Sequence, residues 1–110
     1  SKAHLLQKSV IARYSGRLRG RYLKHVDSDR GAALTILLYL NENWSEADGG
    51  CLRIYHAGRE NSNVRIDVLP VCNRLLLFWS DAHCPHEVLP THRDRYAMTL
   101  WYMDAGSVLS

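Results

Sequence analysis

Short runs rich in leucine, β-branched and aromatic residues recur along this chain, each closed by a turn signal, and that rhythm constrains the fold more than any other feature. Eight runs can be read, over residues 10–14, 22–26, 34–40, 52–55, 64–68, 75–79, 86–89 and 97–103. Between them stand Ser15-Gly16, the stretch from Asp27 to Gly31, Ala47-Asp48-Gly49-Gly50, Val71-Cys72-Asn73 and the stretch from Thr91 to Asp94, all rich in residues that favour chain reversal. So many short strands predict an all-β core. Eight of them fit a double-stranded β-helix, the jelly roll used by cupins. Residues 2–10 stay open between a strand and the tail of a helix, because Ala3, Leu5, Leu6 and Val10 follow neither period.

A chain of 110 residues with 46% hydrophobic residues has room for one modest core and is too apolar for disorder. We therefore expect a single domain over residues 1–110, opening on Ser1 as a piece excised from a longer chain. The run 34–40 is almost continuously apolar, as a strand covered on both faces would be, which points to packing against a layer upstream of this piece. Neither it nor 75–79 is long enough to span a bilayer, so no membrane association is expected. Three cysteines, Cys51, Cys72 and Cys84, form no C-x-x-C pair and leave an odd count, which fits thiols in a reducing compartment, cytoplasm or nucleus. The net charge of +3 is mild, but Arg13, Arg17, Arg19, Arg21 and Lys24 cluster. That cluster reads first as a solvated loop and second as a site for an anionic partner.

The chemistry is concentrated in His25-Val26-Asp27, answered downstream by His86. Side chains at i and i+2 of a strand share a face, so one strand end can offer both His25 and Asp27 to a metal. Two imidazoles and a carboxylate are the set that binds non-haem Fe(II) on one face and leaves the other face open. Arg95, on the following strand, stands where it could hold the carboxylate of an organic co-substrate, and iron with an acid-binding Arg suggests an oxygenase. The plain alternatives are a hydrogen-bonded structural histidine, and for Arg95 a surface ion pair to Asp94 or Asp104. His83 could reach a metal rim but reads better as an exposed turn residue. His4, His56 and His92 read as surface, Trp44 and Trp79 as core or sheet-packing aromatics, and Cys84 as a packed thiol.

These residues lie in blocks that resemble the prolyl hydroxylases of the Fe(II)/2-oxoglutarate oxygenases, most of all the hypoxia-inducible-factor prolyl hydroxylase group. The blocks are Tyr22-Leu23-Lys24-His25-Val26-Asp27, Tyr39-Leu40-Asn41 with Trp44, and Gly49-Gly50-Cys51-Leu52-Arg53-Ile54. They continue in Arg74-Leu75-Leu76-Leu77-Phe78-Trp79-Ser80-Asp81, Pro85-His86-Glu87-Val88, Arg95-Tyr96-Ala97 and Trp101-Tyr102. The resemblance implies that His25, Asp27 and His86 bind iron and that Arg95 pairs with the distal carboxylate of 2-oxoglutarate, with Tyr39 hydrogen-bonding the same group. It implies that Thr99 lines that pocket, with Tyr14 near the iron-bound end, Leu52 beside the co-substrate and Trp101 near the substrate proline. It also implies an N-terminal helical layer that this piece lacks. The expected cofactors are Fe(II), 2-oxoglutarate and O2, with ascorbate as reductant. The expected partner is a protein carrying a target proline, hydroxylated at C4 as 2-oxoglutarate is decarboxylated to succinate, with a possible link to oxygen sensing.

Guanidinium suits the co-substrate role because it binds a carboxylate through two parallel hydrogen bonds. Removing one partner of such a buried pair typically costs ~3–5 kcal/mol. Three departures from the animal oxygen sensors lie on the substrate side: the segment from Tyr14 to His25 is more basic, that between Asp27 and Leu34 is shorter, and Ala32 replaces an Arg. A nucleic-acid demethylase with the same iron site would carry a second Arg six residues after the first, where this chain has Trp101; nucleic acid is not the expected partner. A non-catalytic jelly-roll module would break the triad or lose the Arg. A zinc or manganese cupin would explain the ligands but neither Arg95 nor Tyr39.

Overall fold

The computed structural model of the chain describes residues 5–26, 33–58, 63–79 and 83–104. Eight strands follow in order: β1 Leu5–Tyr14, β2 Tyr22–His25, β3 Ala33–Tyr39, β4 Leu52–Tyr55, β5 Val64–Val68, β6 Leu75–Trp79, β7 His86–Val88 and β8 Arg95–Asp104. They form two antiparallel four-stranded sheets, a major sheet ordered β1-β8-β3-β6 and a minor sheet of shorter strands ordered β2-β7-β4-β5. This is the jelly roll that the spacing of strands and turns predicts. The open question at residues 2–10 resolves from Leu5 onward as strand, paired with β8 along its whole length. A single turn of 3-10 helix, Glu46–Asp48, is the only helical element among the described residues, and none there is long and apolar enough to cross a membrane.

Alternation decides which side chains face the space between the sheets. On β3, Thr35, Leu37 and Tyr39 are buried, and on β8 Arg95, Ala97 and Thr99 are buried. Across the gap the minor sheet contributes Leu52, Ile54, His86 and Val88. The continuous run 34–40 therefore does not lie buried on both sides within the described residues. Its second set, Leu34, Ile36 and Leu38, is half-buried on the outer face of the major sheet. There it stands beside Leu75, Leu77 and Trp79 of β6, the last 54% exposed. Trp79 is thus an outer-face residue, whereas Trp44 is buried and donates its indole N–H to the Gly49 carbonyl at 2.9 Å.

Three polar clamps fix the loops that carry the site. Buried Asn41 donates to the carbonyls of Pro70 (2.8 Å) and Tyr96 (2.9 Å), and its Oδ1 accepts from the Tyr96 N–H (2.7 Å). Arg93 donates to the carbonyls of Glu42 (2.7 Å) and Asn43 (3.1 Å) while lying over the Trp44 ring. Asp94 accepts from Arg13 and from the Gly16 N–H, both at 2.9 Å, and these donors hold its carboxyl below the usual carboxylate range, the backbone N–H most.

Candidate active site

The β2–β7 pairing sets His25 directly opposite His86, with ring centroids 4.4 Å apart. Each Nδ1 lies on a main-chain carbonyl, that of Leu23 at 2.8 Å for His25 and that of Cys84 at 2.9 Å for His86. A carbonyl can only accept, so Nδ1 carries the proton in both rings and Nε2 carries the lone pair. Backbone-oriented imidazoles of this kind are how proteins fix the tautomer of a metal-binding histidine. The rings are walled by Tyr22, 4.0 Å from His25, and by Phe78, edge-on and 4.8 Å from His86. Asp27 lies outside the described residues, and among those residues no group of three metal-binding side chains converges. Two lone-pair nitrogens on one side of the cavity fit an ion of intermediate softness such as Fe(II). His56, His83 and His92 are exposed, and His4 lies outside the described residues.

On the opposite sheet Arg95 opens β8 with its guanidinium inside the protein, 3% exposed. Its Nε donates to the Gly50 carbonyl at 2.7 Å, and its Nη2 lies 3.5 Å from the Tyr39 hydroxyl. The rings of Tyr14 and Tyr39 lie 5.4 and 5.1 Å from its Cζ. Among the described residues no carboxylate approaches Arg95 within ion-pair distance, and Asp94 pairs with Arg13 instead. Burial pushes the Tyr39 hydroxyl pKa up, against the pull of Arg95, so the phenol stays neutral. Gly50 makes this seating possible: its φ is +69°, and a Cβ there would stand 3.0 Å from Arg95 Cδ and 3.1 Å from Thr91 Oγ1.

Between the two sheets lies a cavity of about 270 Å³, bordered by His25, His86 and Arg95 together with Tyr14, Leu52, Thr99 and Trp101. Its volume suits a small ligand held by a few polar groups in an apolar chamber. Tyr39 stands behind Arg95, fully buried and outside the lining. Thr35, Phe78 and Val88 also line the cavity, although the sequence does not single them out. The available signal is positional, since Phe78 lies opposite Thr35 across β3 and β6, on the face that also carries Leu37.

The outer face of the minor sheet braces this wall. Glu87, between His86 and Val88 but pointing the other way, accepts a very short hydrogen bond from the Tyr55 hydroxyl and pairs with Arg21 at 3.4 Å. The Lys24 ammonium sits 4.2 Å from the Tyr55 ring centroid. One strand further, Arg53 and Asp67 pair twice, at 2.8 and 2.9 Å.

A jelly roll with paired histidines facing a buried arginine that meets no carboxylate among the described residues defines a class of metal-dependent oxygenases. The chain belongs to the 2OG-Fe(II) oxygenase superfamily, whose profile matches residues 9–103. Human prolyl hydroxylase EGLN3 is 46% identical over 101 residues, covering 89% of this chain and 41% of that protein. A Caenorhabditis elegans hypoxia-inducible factor prolyl hydroxylase is 46% identical over 100 residues, 88% of this chain and 13% of that protein. The chain thus spans about two-fifths of the length of the first of these relatives and less of the second. Among solved structures, a Trichoplax adhaerens prolyl hydroxylase in complex with a hypoxia inducible factor oxygen degradation domain peptide superposes with a TM-score of 0.84 at 38% identity. That superposition covers 98% of this chain and 50% of that one. A Pseudomonas putida prolyl-4-hydroxylase gives 0.76 at 36% identity, covering 89% and 52%.

Proposed function

We propose that this chain is the catalytic core of a 2-oxoglutarate-dependent prolyl 4-hydroxylase acting on a protein substrate. The observation that carries the proposal is the Arg95 guanidinium, buried without a carboxylate partner among the described residues, in the wall of a cavity whose opposite side holds the His25–His86 pair. A buried charge is costly unless paired, so this one calls for an anionic ligand, and the distal carboxylate of 2-oxoglutarate supplies it.

In this reading His25, Asp27 and His86 hold Fe(II), which when bound supplies the dioxygen chemistry that decarboxylates 2-oxoglutarate. Arg95 holds the far end of the co-substrate, aligned by Gly50 and by the neutral hydroxyl of Tyr39. Leu52 and Thr99 shape the sides of the chamber and exclude water. Tyr14 lies toward the iron-bound end and Trp101 toward the substrate ring. The sum is one prolyl C–H, one O2 and one 2-oxoglutarate converted to one hydroxyproline, one succinate and one CO2. The similarity to prolyl hydroxylases of hypoxia-inducible factor supports a role tied to oxygen level, with ascorbate as reductant. Among the described residues no disulfide joins Cys51, Cys72 and Cys84, which supports a reducing compartment, cytoplasm or nucleus.

The test is incubation of the protein with Fe(II), 2-oxoglutarate and proline-containing peptides. The expected result is succinate together with a peptide mass gain of about 16 Da, both absent in His86→Ala; this is the stoichiometry of cofactor-driven hydroxylation. Iron binding with neither product would overturn the proposal.

A further inference from the structure

The loop between β1 and β2 is hydrogen-bonded within itself and to its neighbour, basic, and flanked by residues that line the cavity. Its neck is closed by Gly20 N–H on the Ser15 carbonyl (2.9 Å) and Arg19 N–H on the Gly16 carbonyl (3.2 Å), with the Leu18 N–H on Ser15 Oγ (3.3 Å). It is then bolted to the β7–β8 turn. Asp94 takes the Gly16 N–H, the Gly20 carbonyl accepts from the Thr91 N–H at 3.1 Å, and Gly16 packs so closely that a Cβ would meet the Arg93 backbone at 2.4 Å. The residues at its two ends, Tyr14 and Tyr22, both line the cavity, and Tyr22 is half exposed at its edge. What the loop holds up is therefore fixed relative to the reacting centre.

It holds up charge. Arg13 is matched by Asp94 and Arg21 by Glu87, but among the described residues neither Arg17 nor Arg19 meets a carboxylate. Both are exposed, and Leu18 between them is 79% exposed. An unmatched pair of guanidiniums on a pre-ordered loop, alternating with an apolar side chain, fits an extended polypeptide better than a nucleic-acid backbone. A nucleic acid would be met by a longer basic track with stacking aromatics.

We infer that Arg17 and Arg19 are a substrate-docking pair selecting polypeptides with acidic side chains close to the target proline, with Leu18 taking an apolar residue between them. This inference rests on the prolyl hydroxylase reading and adds the substrate's charge to it. The pair acts on affinity, not on the chemical step.

The experiment uses fluorescein-labelled peptides sharing one proline core and differing in flanks of Asp/Glu, Asn/Gln or Lys. Binding is read by anisotropy on the anaerobic Fe(II)/2-oxoglutarate-loaded protein, and hydroxylation by mass gain in air. The acidic peptide should bind best, and the R17Q/R19Q double variant should raise its Kd and KM about three- to tenfold, the range for exposed ion pairs, with little change in kcat. Raising NaCl to about 0.5 M should shrink the acidic preference in the same way. R17E/R19E should shift preference to the Lys-flanked peptide, a gain that misfolding cannot imitate. An acidic preference surviving in both variants, no preference in the wild type, or tighter binding of a single-stranded RNA through the same two arginines would overturn the inference. If anisotropy shows the preference and no peptide gains mass, the docking pair stands and the hydroxylase reading falls.

Discussion

Replacing Arg95 by Met isolates what the buried guanidinium does, because the protein without co-substrate should change little while the protein with it should lose most of its stabilisation. Without co-substrate, the variant loses the charged hydrogen bond to the Gly50 carbonyl, worth about 1.5–3 kcal/mol. It also sheds an ion whose burial costs several kcal/mol and which no described carboxylate offsets. The two effects roughly cancel, so the melting temperature should stay within about 5 °C of wild type. With 2-oxoglutarate at a hundred times Kd, the wild type should gain about 2.7 kcal/mol. In R95M, losing one partner of a buried charge pair costs about 2–5 kcal/mol of binding, a weakening of roughly thirty- to several-thousand-fold. At the same co-substrate concentration its gain then falls below about 1 kcal/mol. Anaerobic thermal melts and calorimetry with Fe(II) present measure both quantities. The analogue 2-oxobutyrate, which lacks the distal carboxylate, should bind both proteins alike. A variant that keeps the wild-type 2-oxoglutarate shift, or loses affinity equally for both keto acids, refutes the assignment of Arg95 to the distal carboxylate.

Gly50→Ala forces a Cβ against Arg95 Cδ at a positive φ, costing about 1–2 kcal/mol of stability and weakening 2-oxoglutarate by displacing the guanidinium; unchanged affinity in a calorimetric titration would show that Gly50 does not seat Arg95. Asn41→Ala strands the Pro70 carbonyl and the Tyr96 N–H and should lower stability by about 2–4 kcal/mol in a denaturant titration, whereas a surface-like loss under 0.5 kcal/mol would deny the clamp. Asp48, Asp67 and Asp94 all have carboxyl pKa values held below the unfolded value, so the unfolded chain binds more protons as acid is added. Their contribution is intact above about pH 4 and is lost as pH falls below it; a melting temperature flat through that range, or an acid slope unchanged in Asp94→Asn, would contradict this.

Much of the fold is legible in the chain because β-sheet physics is local in two respects, turn chemistry and alternation. Val64–Val68 and Leu75–Trp79 fall at the predicted bounds, framed by Asn73 at φ 66° and by the turn before it. Alternation fails as a guide where both faces of a strand are apolar. The run 34–40 offers no polar residue except Thr35 to mark a face, so its burial on one side and half-burial on the other follows from its neighbours β8 and β6, not from its own residues. The site divides in the same way. Residue types point to His25, His86 and Arg95, but nothing local says that, past a register irregularity between Tyr22 and His25, the two rings come side by side, tilted and 4.4 Å apart. Nor does anything local say that the Tyr39 hydroxyl lies beside the guanidinium while Phe78 walls His86.

The register of β8 links these observations. Arg95, Ala97, Thr99 and Trp101 point into the cavity, while Tyr96, Met98, Leu100 and Tyr102 form the outer face with Leu34, Ile36 and Leu38. A slip of one residue would exchange the two sets, carrying the guanidinium out of the protein and an apolar row into the chamber. The strand is held against that slip by long pairings with β1 and β3 on its two sides, and by two polar contacts at its first two residues. Asn41 binds both the N–H and the carbonyl of Tyr96, and the Gly50 carbonyl binds the side chain of Arg95. These contacts sit at the end of the strand where the charge must enter the core, because there a shift of one residue would be most damaging. In the proposed reading Asn41, though it lies outside the cavity lining, bears on co-substrate binding through the position it gives to Arg95.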